Sequence, residues 1–379
     1  MNVELFIPFL ICFILFLSVK FSNYVIKLDI ENVKYPEIDG IRGYLGLFVF
    51  LHHSYIWKLY LKNNLWEHPK SNLFNHFGET SVVLFFMITS FLFVSKLISF
   101  KGKDYNWRNF IISRFYRLFP MYIFTICIVF TIVLYLTNFE LKDSLLNTIK
   151  SICSWIFFSI NGSVDINLLD KTFLINSGVA WTLPYEWMFY LLLPIIALFF
   201  KVKVPIKTLL LFTLVFLVLL FINQSSLKHF TLFLGGIICA LLLSKSKNKI
   251  NWKKHKFSIL GLVFLFLSIY YFNSGKKILP IFASTYILFI ISNGNSFFCI
   301  LSSSFSRKLG QITYSIYLIH GLVLFLVFRF VIGLQKAAEL SELEYWSVIS
   351  LCIFPVIFLS QITFKNIELY FINYNKRKS

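Results

Sequence analysis

Arg42 and His53 stand eleven residues apart on one apolar run that begins at Ile41. At about 100° per residue that spacing falls within roughly 20° of three full helical turns, so both side chains share a helix face. A rise of about 1.5 Å per residue puts the guanidinium near a membrane surface and the imidazole roughly 16 Å deeper, close to the bilayer midplane. Ionisable groups at that depth are costly and point to function. A neutral imidazole there can take a proton from a hydroxyl and return it to a leaving group. The structural alternative is a hydrogen-bonded packing histidine, with Arg42 a snorkelling anchor. His52, next in the chain, is turned about 100° away from that face.

Three other runs carry comparable chemistry. Arg114 and Arg117 are three apart and adjacent on a helix face, where two guanidinium forks suit bidentate binding of phosphates. The same pair also serves as an interfacial anchor. In Trp181-Thr-Leu-Pro-Tyr-Glu186-Trp-Met-Phe-Tyr190, Thr182 and Pro184 mark a helix start. Glu186 and Tyr190 then lie one turn apart, at the outer end of a span. A carboxylate among aromatic rings fits a sugar site or an imidazole-orienting group, and equally a helix-dipole partner within an interfacial aromatic belt. Tyr317 and His320 share a face three residues apart, as an interhelical polar contact would. No phosphate-binding Gly-rich loop, HExxH or GxSxG accompanies these runs.

The elements that position them are apolar helices. The 379 residues are 58% hydrophobic and only 14% charged, more apolar than a soluble core requires, which predicts an all-α, polytopic transmembrane bundle. Eleven spans are expected, near 3–19, 41–57, 80–95, 118–137, 183–200, 206–222, 227–243, 257–272, 278–292, 311–333 and 346–364. The net charge of +19 lies between the spans rather than on a basic domain, which argues against a nucleic-acid partner. Alternate connections hold most of the 36 lysines and arginines, so the positive-inside rule puts the N-terminus outside and the C-terminus in the cytoplasm. Leu145 to Ile160 is then expected to be re-entrant or interfacial, because a crossing there would expose the lysine-rich stretch 244–256 to the outside. Val3 to Val19 lacks a basic n-region and cleavage site, so it reads as a retained span. The six scattered cysteines read as packing residues, and no spacing suggests a metal site.

Taken in order, these runs resemble the membrane-bound acyltransferase 3 family of bacterial acetyl and acyl transferases. Ile38-Asp-Gly-Ile-Arg42-Gly with His53 is similar to its Asp-Gly-Leu-Arg-Gly start and Arg-to-His spacing, and Phe85 to Phe91 to its Phe-Phe-x-x-Ser-Gly-Phe segment. Arg114 and Arg117 match its double arginine, Trp181 to Glu186 its Trp-Ser-Leu-x-x-Glu, and Tyr314 to His320 its Tyr-Ser-x-Tyr-Leu-x-His. Thr89-Ser90 and Pro184-Tyr185 depart from the pattern, 3–19 reads as a span beyond the usual ten, and no secreted esterase-like domain is expected to follow.

Beside the extra N-terminal span with linker expected at 1–35, the resemblance implies a membrane domain (36–364) followed by a basic cytoplasmic tail (365–379), in the inner, cytoplasmic membrane. It implies transfer of an acyl group, usually acetyl, from cytoplasmic acyl-CoA as co-substrate to a glycan acceptor outside. His53 would be the base, with Glu186 beside it in the catalytic set. Arg42, Arg114 and Arg117 would hold the donor phosphates, and Trp181, Tyr190, Tyr317 and His320 the acceptor. A homo-oligomer and association with polysaccharide-biosynthesis machinery are compatible with this reading. The rival classes are a transporter or flippase for a lipid-linked saccharide and a structural subunit of an export complex.

Overall fold

Helix follows helix from Pro36 onward, and no strand occurs among the described residues of the computed structural model, which are residue 18 and residues 33–159, 164–223, 227–245 and 250–378. The span expected at 3–19 lies outside them apart from Ser18. The α-helices are α1 Pro36–Asn63, α2 Asn72–Ser99, α3 Trp107–Leu136, α4 Leu145–Ile156, α5 Thr182–Phe199, α6 Ile206–Asn223 and α7 Leu234–Lys245. They continue as α8 His255–Tyr271, α9 Ile278–Ser292, α10 Ser304–Gln311, α11 Thr313–Leu326, α12 Leu334–Glu339, α13 Glu342–Thr363 and α14 Leu369–Lys378. Six helical stretches among the described residues are long and apolar enough to cross a membrane: 72–99, 107–136, 179–199, 228–245, 313–332 and 342–377. The apolar helices α6, α8 and α9 are shorter. α1 is not one of the six although it is 28 residues long, because Arg42, two histidines and Lys58 dilute its apolar run.

Local signals set the helix ends. α1 starts on Pro36 with Glu37 and Asp39 in its first turn, and it stops where Asn64 turns left-handed at φ 56°. Asn106 caps α3 through a 2.9 Å bond from the Asn109 amide, so this helix begins about a dozen residues before the expected span. Ser341 and Glu344 form a capping box on α13. α4 has only 12 residues, roughly 18 Å against a hydrocarbon core of about 30 Å, too short for a crossing of its own.

Between α4 and α5 the chain does not stay at the surface. Two 3-10 turns, Thr172–Asn176 and Val179–Trp181, wedge against α11, the first of them also against α3. The Trp57 indole donates to Ser177 Oγ at 3.1 Å, and the Tyr317 hydroxyl donates to the Val179 carbonyl at 2.9 Å. A Cβ on Gly321 would lie 2.4 Å from the Asn176 backbone, so only glycine admits the wedge this close to α11. α5 starts beside Tyr317, whose hydroxyl lies 2.9 Å from Thr182 Oγ1.

α1 runs through the middle of the site region, packed on α2, α10 and α11. A Cβ on Gly310 would lie 1.9 Å from the Asp39 carbonyl oxygen, so α10 meets α1 backbone to backbone at the turn that carries Asp39 and Arg42. Gly310→Ala is expected to cost about 1–3 kcal/mol through this overlap. Gly46→Ala, whose Cβ would meet nothing closer than 3.4 Å, should cause no loss. Thermal unfolding of the two purified variants in one detergent checks both outcomes.

Candidate active site

A cavity of about 1100 Å³ is bordered by α1, α2, α3, α5, α11 and the chain around Glu368. Arg42, Arg114, Arg117, Glu186, Tyr190 and Tyr317, predicted from scattered runs, all line it. Sequence reading did not place Lys34, Lys96, Arg307, Lys365 and Lys376 on the same wall. These five and the three arginines face three carboxylates, Asp39, Glu186 and Glu368, so the lining as a whole favours an anion.

Arg42 and Arg114 are each held by their own neighbours. Arg42 Nη1 lies 3.7 Å from Asp39 Oδ1 and feels the charges of Arg117, Glu186 and Glu368. The Arg114 guanidinium sits over the Phe93 ring at 5.2 Å, and its Nε donates to Ser113 Oγ at 3.5 Å. Tyr190 donates its hydroxyl to Glu186, one turn earlier on α5, and its ring lies between those of Phe93 and Phe110 at 5.2 and 5.7 Å. Glu186 therefore lines the same cavity as the three arginines.

Glu368 escaped the sequence reading. It is 4% exposed, on a π-helical turn Phe364–Glu368 that joins α13 to α14, and it accepts the Ser315 hydroxyl. Thr363 Oγ1 donates to Ser315 Oγ at 3.1 Å. Its position beyond the last apolar run, among lysines and arginines, resembled a solvated tail, while Ser315 inside the Tyr314 to His320 run was the only pointer to it.

The histidines lie apart from the cavity lining. His53 Nδ1 and His320 Nε2 are 2.9 Å apart, their rings tilted by only 20°, and His320 Nδ1 is 2.9 Å from the Ile316 carbonyl oxygen. His320 is fully buried, while His53 is half-buried and faces the Trp66 ring at 6.4 Å. The stripe of α1 from Arg42 to His53 is not an open channel. Leu45, Val49 and Phe50 between them are buried, and Gly46 packs on Thr313 and Ile316 of α11. The cavity lining reaches Tyr317 and Thr182, which share a 2.9 Å hydrogen bond, and the Tyr317 ring is 6.2 Å from that of His320.

Trp181 also lies outside the lining. It is 36% exposed under the Lys276 ammonium at 5.5 Å, and Lys276 pairs with Glu79 at 3.7 Å. Five residues of helix separate Trp181 from Glu186 by about 140°, so the run divides its members between two faces. His52 is structural. Its Nδ1 donates to the Phe74 carbonyl at 2.8 Å, and its ring fills the space a side chain on Gly78 would need. Among the described residues no group of three or more His, Cys, Asp or Glu could hold a metal ion.

Comparison with known proteins adds to this geometry. Residues 35–365 match the Acyl_transf_3 family, described as an acyltransferase domain. Proteins named O-acetyltransferase OatA from Staphylococcus aureus strains NCTC 8325, COL and MRSA252 are each 25% identical over 356 residues. The match covers 82% of this chain and 56% of each relative, so the chain spans about half their length. No solved structure matches.

Tyr190→Phe removes the hydroxyl that Glu186 accepts and leaves a half-buried carboxylate short of one donor. The expected cost is about 1–3 kcal/mol, read as a lower melting temperature.

Proposed function

The chain belongs to the acyltransferase 3 family, and on that premise we propose that it transfers an acyl group, acetyl in the first instance, from cytoplasmic acyl-CoA to a hydroxyl outside. The acceptor is a sugar of a cell-surface or exported polysaccharide, in keeping with the O-acetyltransferase relatives. The protein is a multi-pass membrane protein. In this reading it lies in the cytoplasmic membrane with its basic connections and C-terminus inside.

The observation that carries the proposal is the cavity itself. Its volume of about 1100 Å³ exceeds the roughly 300–1,000 Å³ of sites for drug-sized ligands. Eight cations line it, and it extends to Tyr317, beside the histidine pair. A nucleotide with three phosphates on a long flexible arm suits that shape. Arg42, Arg114 and Arg117 clamp the phosphates, and the arm runs past Phe85 towards Tyr317. Glu186 acts from the donor side, holding Tyr190 and balancing Arg114.

His53 is the base, and the acceptor reaches it from the side of Trp66 and Trp181. The Tyr317 ring has to turn aside for the thioester to meet the imidazole. The acceptor O–H gives its proton to His53 as the oxygen attacks the thioester carbonyl. A C–O bond forms, the C–S bond breaks, and the departing thiolate takes the proton back from His53. No net proton is consumed.

Acceptor-dependent release of CoA by the full chain in proteoliposomes tests the proposal. His53→Ala should lower turnover by about 10²–10⁴-fold while acyl-CoA binding persists. Wild-type turnover in that variant removes the base. Replacing both Arg114 and Arg117 by Glu should raise the acyl-CoA KM by about tenfold or more, and an unchanged KM removes the phosphate clamp. Without CoA release for any acceptor, the protein is not a transferase of this kind.

A further inference from the structure

We propose that His320 is a positioning residue that fixes the tautomer of His53, an inference that rests on His53 as the base. The argument follows hydrogens along one chain of atoms. A carbonyl oxygen only accepts, so the 2.9 Å contact between His320 Nδ1 and the Ile316 carbonyl places a hydrogen on Nδ1. A neutral imidazole carries one N–H, which leaves His320 Nε2 as a bare lone pair. His53 Nδ1 lies 2.9 Å from that lone pair and must donate to it. The hydrogen of neutral His53 is therefore on Nδ1, and its Nε2 is the free base.

Burial favours this role over the acceptor contact that the sequence suggested for His320. It has no exposed surface, both ring nitrogens are engaged inside the protein, and the Phe50 ring closes on it edge-on at 6.3 Å. No polar atom of its ring remains for a sugar. What it provides is orientation, through a ring anchored to its own helix backbone four residues earlier. During transfer the acceptor proton moves to His53 Nε2 and later to the thiolate sulfur, while the other hydrogen of His53 remains on its Nδ1, donated to His320 Nε2 throughout. The dyad gains and loses one proton at one atom, and His320 exchanges none.

Solid-state NMR of the full chain in proteoliposomes, with ring-¹⁵N histidine and the His53 signals identified by their loss in His53→Ala, reads the tautomer directly. Wild-type protein should show His53 protonated at Nδ1 and bare at Nε2. His320→Leu should mix the tautomers and lower kcat by about 10²–10⁴-fold, with the acyl-CoA KM changed by less than about twofold. His320→Gln, whose amide oxygen accepts from Nδ1–H, should recover about tenfold or more of that loss. An Nε2–H tautomer in the wild type, or wild-type kcat in His320→Leu, overturns the inference. If His320→Leu fails to fold, the wild-type tautomer alone decides. An inactive His53→Ala combined with the wrong wild-type tautomer ends only this inference, whereas an active His53→Ala ends the base assignment itself.

Discussion

Arg42, Arg114 and Arg117 occupy one electrostatic neighbourhood, and in a bundle surrounded by hydrocarbon each such cation needs a counter-charge, a ring face or water. The surrounding helices are arranged to meet that need. α1 brings Asp39 to Arg42, α2 brings Phe93 under Arg114, α5 brings Glu186 with its Tyr190 partner, and the turn after α13 brings Glu368. The provision is incomplete, since eight cations on the wall face three carboxylates. In the proposed function a polyanionic donor makes up the difference.

The second organising feature is the division at Tyr317. On its cavity side lie the arginines, Glu186 and Tyr190. Beyond it lie His53 and His320, with Trp66 next to the first imidazole. The second 3-10 turn and the first residue of α5 border this division, Val179 accepting the Tyr317 hydroxyl and Thr182 lying within hydrogen-bond distance of it. The proposed transfer from a cytosolic thioester to an external hydroxyl would need such a partition, because an open channel through the bundle would leak.

Much of this was legible in the chain. Apolar runs gave the helical class, and the 3.6-residue period gave the neighbouring pair Arg114 and Arg117 and the one-turn pair Glu186 and Tyr190. Spacing also put Arg42 and His53 on one face, but it could not show that Leu45, Val49 and Phe50 plug the stripe between them, since burial there depends on α11. The wedge before α5 was not anticipated because it has no periodic pattern, and left-handed residues such as Lys171 and Ser177 leave little trace in sequence. Glu368 was invisible because only a tertiary hydrogen bond from Ser315, 53 residues earlier, takes it out of the solvated tail. The His53 and His320 contact spans 267 residues and belongs to the same class of information.

The most direct test of the account is an experimental structure of the full chain in a lipid nanodisc with a non-transferable acetyl-CoA analogue. The account predicts phosphate density against Arg42, Arg114 and Arg117, with the acyl end at a turned-aside Tyr317 within reach of His53 Nε2. Analogue bound elsewhere, or a phosphate end at Trp181 on the far side of Tyr317, would contradict it.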